Sequence, residues 1–191
     1  MKKIIIFLVL SIYFLPLIAQ EKTEKIYGNE HNAIYVNVIP LFIGQINAHY
    51  ERLLSDKLSV MFGLGAASKI YGIDHGSDWS ILVTLYKIGI GIYPAGRYGK
   101  TLRGVYFMPK YTGINVNAKY KPLDISDTNN AFAIGIDIGH RWVLQEGLMF
   151  DLSIGMGFVS DIIIKADNKK AGEIESRVGI THIGLQFGYA W

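Results

Sequence analysis

The sequence contains no cysteine, and this absence excludes several classes of protein. A small secreted domain held together by disulfides needs paired cysteines. A thiolate nucleophile and a cysteine-ligated zinc site also need them. Half of the residues are hydrophobic, so the chain must be stabilised by another arrangement of its apolar side chains.

Long hydrophobic runs are also scarce, because only residues 4–15 form one. Two lysines precede this run, Pro16 interrupts it, and the small residue Ala19 follows shortly after. A basic head, a short apolar body and a small exit residue predict a secretory signal peptide over residues 1–19, cleaved near Ala19. A retained membrane anchor is the alternative, but the run is short for a helical span, which takes about 20 residues.

The chain has no strong excess of charge of one sign. Of its 19 basic residues two lie in the predicted signal, and the 17 that remain face 16 acidic residues. A balance this close to neutral gives no indication of a nucleic-acid partner.

What the sequence does contain is alternation at period two, which is typical of strands with two different faces. Residues 131–144 place bulky apolar side chains on one face and glycine, alanine and isolated charges on the other, and residues 148–164 repeat the pattern. The predicted strands are 33–43, 45–54, 58–70, 79–93, 104–119, 131–144, 148–164 and 174–191. Residues 20–32 are polar and aperiodic, which predicts a periplasmic lead before a barrel over residues 33–191.

The alternation predicts an all-β fold, an eight-stranded antiparallel transmembrane β-barrel with up-and-down topology. A face of glycine and alanine cannot fill the core of a sandwich, but it can fill the narrow interior of an eight-stranded barrel. The bulky face then needs an apolar solvent, which lipid supplies. Short turns at 55–57 and 145–147, with longer loops on the other side, are typical of barrels in the outer membrane of Gram-negative cells. Ten strands remain an alternative, and Pro40 and Pro109, inside two strands, predict bulges.

Isolated charges lie on the face of small residues. Because an unpaired buried charge is costly, we expect these side chains to pair inside the lumen. A three-residue turn at Glu146 would place Arg141 opposite Asp151 on the inner face, with Glu51 in the same layer. Unrelated surface charges are the alternative. The predicted luminal network is Glu51, Lys87, Asp137, Arg141 and Asp151.

Aromatic residues gather near the predicted strand ends, where barrels carry interfacial girdles. General strand propensity accounts for some of them. The set is Tyr50, Tyr93, Tyr106, Phe107, Trp142, Phe150, Tyr189 and Trp191. The last strand alternates Ile183, Leu185, Phe187, Tyr189 and Trp191, a pattern that resembles the signal read by the machinery that assembles outer-membrane barrels.

Five segments resemble, in order, a family of small outer-membrane barrels, the domain of unknown function 3575. They are NVIPLFIG at 37–44, YERLLSDKLS at 50–59, GVYFMP at 104–109, GIDIGHRW at 135–142 and GLMFDLSIG at 147–155. The resemblance covers most of the chain after the predicted signal. It implies a barrel and its location, and it implies no activity.

The sequence offers little chemistry. His49 and His182 are candidate luminal bases and Ser153 and Asp151 the nearest hydroxyl and carboxylate, but no nucleophile motif surrounds Ser153. The histidines are scattered and the glycines form no phosphate loop, so no catalytic, metal or cofactor site is predicted.

We therefore expect a monomeric, non-catalytic barrel with a filled lumen and an envelope-structural or surface-interaction role. A small-solute channel is the second hypothesis and a lipid-modifying enzyme the third. Lys165, Lys169 and Lys170 lie at the predicted outer rim, where they could contact lipopolysaccharide phosphates; a solvated loop is the alternative. The expected partners are outer-membrane lipid, lipopolysaccharide and the assembly machinery.

Overall fold

The fold was obtained as a computed structural model, which describes residues 31–68, 78–94, 102–166 and 169–191. The predicted signal peptide and nearly all of the predicted periplasmic lead lie outside these residues. Within them, no helix is long and apolar enough to cross a bilayer.

Ten strands make up the described part of the chain. Their bounds are β1 Asn32–Asn37, β2 Gln45–Ser55, β3 Leu58–Ala67, β4 Trp79–Ile92, β5 Gly104–Tyr120, β6 Ile125–Val143, β7 Leu148–Val159, β8 Ile162–Ala166, β9 Lys169–Ile174 and β10 Arg177–Ala190. Three short 3₁₀ turns, Ile39–Ile43, Lys121–Leu123 and Gln145–Gly147, connect neighbouring barrel strands.

Eight of the strands close into one antiparallel barrel, in the order β1-β10-β7-β6-β5-β4-β3-β2. The seam is the pairing of β1 with β10, from Ala33 opposite Ala190 to Asn37 opposite Gln186. The prediction of an eight-stranded, up-and-down antiparallel barrel is confirmed. Below, the lower end of the barrel is the end with the turns at 56–57 and 145–147, and the upper end carries the β5–β6 hairpin.

The predicted seventh strand is wrong in its last residues. Alternation continues to Ile164, but the chain leaves the barrel wall at Ser160 and Asp161, and strands β8 and β9 pair as a separate two-stranded sheet. Ile162 and Ile164 are buried against inward residues of β4 and β5, such as Val83 and Val116. Apolar residues alternate at period two both in a strand that faces lipid and in one that covers the mouth of the lumen. The alternation therefore does not distinguish these two positions.

The predicted loop at 120–130 is also largely strand. β5 and β6 pair without interruption from Gly104 opposite Arg141 to Tyr120 opposite Ile125. Only Lys121–Leu123 and Asp124, with a left-handed φ of 56°, make the turn. The asparagine and threonine side chains of this stretch bond across the strands, since Asn115 bonds to Asn130 and Thr128 to Asn117. This ladder explains why a polar segment is extended.

Neither proline marks a bulge, which corrects the sequence expectation. Pro40 lies in the 3₁₀ turn Ile39–Ile43, which ends at Gly44 with a left-handed φ of 74°. Pro109 stays in register opposite Ile136 of β6. On the side of β5 that faces β4, Ile90 and Gly91 of β4 have no paired residue. The register is nevertheless the same before and after these two positions. Because proline has no N–H to donate, the strand loses ladder bonds there without gaining a residue.

Bulky apolar side chains cover the outside of the barrel. Ile34, Phe62, Ile88, Ile136 and Ile154 are each about half exposed or close to it, and each alternates with a buried or partly buried neighbour. A soluble protein rarely exposes so large a continuous apolar surface.

Two aromatic belts bound this apolar surface. The upper belt is a chain of ring contacts from Tyr86 through Tyr111 and Phe132 to Phe158. The lower belt runs from His140 through Trp142 and Phe150 to Phe187, and Tyr189 stacks on Trp191. Phe132 and Trp142 are ten residues apart on β6, which at a 45° tilt corresponds to about 24 Å, close to the roughly 25 Å apolar band of outer-membrane barrels.

Candidate functional site

The lumen has an apolar plug at each end with polar side chains between them. The lower plug includes Leu102, Val143 and Met149, each at most 1% exposed, together with Tyr106. The upper plug combines the β8 residues Ile162 and Ile164 with the inward residues of β4 and β5. The polar side chains form two layers.

The lower polar layer is built around Arg141, which is completely buried. Its Nη1 donates to Glu51 Oε2 at 2.8 Å, and its Nε donates to Asp151 Oδ2 at 3.0 Å. The three-residue turn Gln145–Gly147 places Arg141 directly opposite Asp151, the arrangement that such a turn predicts, and Glu51 reaches the same guanidinium from β2. Among the described residues of this layer, the single positive charge of Arg141 is therefore shared by two negative charges, those of Glu51 and Asp151.

Hydroxyl groups satisfy the remaining carboxylate oxygens in this layer. Tyr35 and Tyr93 donate to Glu51 at 2.9 and 2.8 Å, and Ser59 donates to it at 2.5 Å. Tyr106 donates to Asp151 Oδ1 at 3.0 Å. The Arg141 guanidinium also lies 4.9 Å from the centre of the Tyr35 ring. These donors stabilise the second buried carboxylate, which one arginine cannot neutralise.

The upper polar layer contains the other two predicted luminal charges, Lys87 and Asp137, together with Lys110, which was not predicted. Lys110 Nζ bonds Asp137 Oδ2 at 2.5 Å. Lys87 lies on the inner face opposite Thr112, and within the described residues it has no ion pair. The structure therefore divides the predicted network of five into two separate layers.

Five residues of these layers were missed by sequence reasoning: Lys110, Tyr35, Tyr93, Tyr106 and Ser59. Both faces of β5 contain large residues, so alternation alone did not identify the inner face that carries Lys110. Tyr93 and Tyr106 were expected in the interfacial girdle, and this is wrong, because both are at most 3% exposed and point inward. Tyr106 lies two and four residues before Met108 and Lys110 on the same face, and that spacing was the available signal.

The serine, histidine and aspartate of the lumen do not form a catalytic triad. His182 Nε2 lies 3.3 Å from Ser153 Oγ and 3.9 Å from Asp137 Oδ2. Both groups thus approach the same ring nitrogen, whereas a triad needs the carboxylate at the other nitrogen, Nδ1, to orient the base. Asp151, the other candidate carboxylate, is bonded to Arg141. Among the described residues no group of three or more potential metal ligands is found.

The candidate lipopolysaccharide contacts lie on the β8–β9 hairpin. Lys165 pairs with Lys170, and Ala166 with Lys169, in the backbone ladder; the side chains of these lysines lie outside what the structure describes. Beside the neighbouring hairpin tip, Lys119 forms a 2.5 Å ion pair with Asp124. This hydrogen bond and the lysine charge lower the pKa of the exposed Asp124 carboxyl.

The predicted assembly strand is the lower part of β10. Ile183, Phe187, Tyr189 and Trp191 are each at least 43% exposed and face outward. Trp191 also closes the seam through its backbone, because its carbonyl accepts from the amides of His31 and Asn32, and its amide donates to Asn32.

No protein-family model and no curated protein sequence matches the chain. A solved structure with a similar backbone is that of the outer membrane protein Ail of Yersinia pestis in a phospholipid bilayer nanodisc. The two chains are 12% identical and superpose with a TM-score of 0.48, over 85% of this chain and 99% of Ail. A similarity at this level carries no information about function.

Proposed function

We propose that this chain is an integral outer-membrane protein of a Gram-negative cell, with a filled lumen and an envelope-structural or surface-interaction role, and without catalytic activity. The observation that carries the proposal is the inverted distribution of side chains. Bulky apolar residues lie outside between two aromatic belts, and buried ionic groups lie inside. A closed barrel satisfies its ladder hydrogen bonds internally, which a hydrocarbon environment requires.

The same proposal includes several points that rest on the sequence. Cleavage of residues 1–19 near Ala19 would deliver the barrel to the periplasm, where the assembly machinery would recognise the last strand. Membership of the family called domain of unknown function 3575 rests on the five segments quoted above. We propose a monomer that contacts lipopolysaccharide.

The absence of catalysis is supported by the lumen geometry. His182 Nε2 faces both Ser153 and Asp137, and the remaining carboxylates are bonded to arginine, tyrosine and serine. None of these groups is arranged as an activated nucleophile with an oriented base.

A small-solute channel is the second candidate function, and a cavity of about 600 Å³ in the upper lumen favours it. The completely buried Arg141 layer and the lower plug interrupt any path from this cavity to the lower end. The interior of an eight-stranded barrel is just wide enough for side chains or for one small ligand, and not for an aqueous channel, so the filled-lumen proposal is the better supported.

Conductance in planar bilayers tests the two functions. The purified full chain, folded in detergent and reconstituted, is expected to insert without producing stable current steps. A sixteen-stranded porin reconstituted in parallel shows that the assay detects open barrels. Reproducible single-channel steps from the folded protein would overturn the filled-lumen proposal and support the channel.

A further inference from the structure

The cavity in the upper lumen lies between the upper plug and the charged layer that contains Lys110. Its volume is about 600 Å³, and its polar lining includes Asn47, Lys87, Lys110, Thr181 and His182. Leu85 and Val159 line it from above. It is therefore a partly open space, with apolar walls and several polar groups, inside a barrel whose exterior is apolar.

The cavity carries an excess of one positive charge among the described residues. Asp137 balances Lys110 at 2.5 Å, whereas Lys87 has no described ion pair. Lys87 is opposite Thr112, and Lys110 is two residues further along the same inner face of β5, so the two cations are diagonal neighbours. Because an unpaired charge in a low-dielectric space is costly, an anion at this position would be favourable.

A β-bulge in β10 directs an additional polar group into the cavity. The register between β10 and β7 shifts between Ile180 and His182, so that two residues rather than one separate the outward side chains of Ile180 and Ile183. Both of these two residues, Thr181 and His182, line the cavity. The Thr181 hydroxyl is buried without a hydrogen-bond partner. Bulges are common beside binding sites, where they redirect a side chain, and a buried unsatisfied hydroxyl indicates a missing partner.

The barrel wall has a notch beside the cavity. β1 pairs with β10 only up to Asn37 opposite Gln186, and Val38 adds one bond to the Leu185 carbonyl. The chain then leaves as the turn Ile39–Ile43, while β10 extends upward through residues 177–184 with no strand on that side among the described residues. Ile39 and Pro40 line the cavity from one side of this notch, and Ile180 lines it from the other.

The rim of the notch is strongly apolar. Phe42 is 88% exposed, Val178 79% and Ile180 60%. Val178 lies opposite Phe158 of the upper aromatic belt, and Ile180 lies opposite Met156, two residues further toward the lower end. A cationic interior with several polar groups, behind an apolar opening in the barrel wall, is complementary to a molecule with an anionic group and an alkyl chain.

We propose that this cavity binds the phosphate or carboxylate group of an anionic amphiphile from the surrounding membrane, with the alkyl chain leaving through the notch against Phe42 and Ile180. Lys87 and the Thr181 hydroxyl contact the anionic oxygens through hydrogen bonds, of which that from the ammonium is charge-assisted. This binding site goes beyond the proposed function, and it rests only on the part of that proposal that places the barrel in a membrane.

The test is a ³¹P NMR titration of dodecyl phosphate into the full chain folded in dodecyl maltoside micelles. Saturable binding of one molecule per barrel is expected. Lys87→Met should raise the Kd at least tenfold, since it removes a charge-assisted hydrogen bond. Thr181→Val, which preserves the shape of the side chain, should raise the Kd roughly threefold or more. Lys57→Met, at a turn on the lower end, is the matched control and should leave the Kd unchanged.

Inorganic phosphate is titrated in a parallel series to separate the possible sources of the anion. Binding of inorganic phosphate with the same Kd as dodecyl phosphate would overturn the role of the alkyl chain. Equal Kd values for the unmodified chain, Lys87→Met and Thr181→Val would overturn the site itself. A heat-dependent shift of band position on a gel reports barrel folding for every variant. A chain that never folds in micelles contradicts the membrane proposal, whereas a folded barrel without saturable binding contradicts the site alone.

Discussion

At the residue scale, the centre of the molecule is Arg141. Its guanidinium has two carboxylates and one phenol within 3.0 Å, and water cannot replace them because the side chain is completely buried. Buried ion pairs add little to stability compared with a well-packed apolar core, but removing one partner is costly because the other charge is left unpaired. The layer therefore favours one arrangement of strands β2, β6 and β7 over others.

Replacing Arg141 with methionine leaves Glu51 and Asp151 without a cation. The free energy of unfolding should fall by about 3–5 kcal/mol, the usual effect of breaking a buried ion pair. Urea unfolding in lipid vesicles, followed by tryptophan fluorescence, measures it. Arg52→Met is the control, because this exposed arginine of β2 should change stability by less than about 0.5 kcal/mol.

The mechanism is checked by a triple variant, Arg141→Met with Glu51→Gln and Asp151→Asn. It removes the two orphaned charges and should recover much of the lost stability, although buried amides remain less favourable than a complete network. If Arg141→Met costs no more than Arg52→Met, the lower polar layer does not stabilise the barrel.

How far the sequence predicts these residues depends on the strand that carries them. Arg141 and Asp151 were predictable because β6 and β7 have one face of small residues, so their charges are clearly internal. Lys110 was not, since the inner face of β5 also contains Tyr106, Met108, Ile114 and Val116. Contacts between distant strands, such as that of Tyr93 with Glu51, depend on barrel closure and have no local signal.

At the element scale, the β8–β9 hairpin shows what periodicity cannot distinguish. Ile162 and Ile164 continue the alternation of β7, yet they cover the lumen. The change of direction is fixed by the backbone amide of Ser160, which bonds the Phe132 carbonyl, and by the side chain of Asp161, which accepts from the amide of Ser176 at 2.6 Å.

This hairpin also carries the proposed lipopolysaccharide contacts. Replacing Lys165, Lys169 and Lys170 with glutamine should lower the amount of lipopolysaccharide that co-purifies with the folded barrel by several-fold, because three attractive charges near the phosphates are removed. Quantitative phosphate and sugar analysis of the purified protein measures it.

Lys57→Gln at the lower turn is the control for this experiment. It changes the same kind of residue at the end that should face the periplasm, and the amount of bound lipopolysaccharide should not change. Equal amounts of lipopolysaccharide on the triple variant and on the unmodified protein would show that these lysines are solvated side chains without a role in lipopolysaccharide binding.

At the scale of the whole molecule, the number of strands and their closure into a barrel were predictable from the sequence. The apolar plugs that block the two ends of the lumen were not. The number of alternating segments and the small-residue faces indicate eight strands in a narrow barrel. The plugs depend on Leu102 and on β8, which fold back from connections between strands. Which connection folds inward is decided by shape complementarity across the whole barrel, and no segment of sequence encodes this on its own.

Closure of the whole barrel also depends on Trp191. Deleting it removes three backbone hydrogen bonds at the β1–β10 seam together with its stack on Tyr189. The yield of folded protein in the outer membrane should fall several-fold, measured by heat-dependent gel mobility of membrane fractions. Trp191→Phe keeps the backbone bonds and an aromatic ring, and should retain most of the yield. A deletion variant with unchanged yield would contradict both the seam argument and the proposed assembly signal.

The unequal heights of the described strands give the barrel a tall side and a short side. β5 continues nine residues above Tyr111 and β6 seven residues above Phe132, roughly 17–20 Å at a 45° tilt, while β1 stops at Asn37. Large molecules that approach the upper end of the barrel would therefore first meet the polar side chains of this tall hairpin, which are Asn115, Asn117, Thr128 and Asn130. Small molecules that diffuse laterally within the membrane would instead reach the protein at the short side, beside β1. Large and small molecules would therefore approach the barrel from different directions.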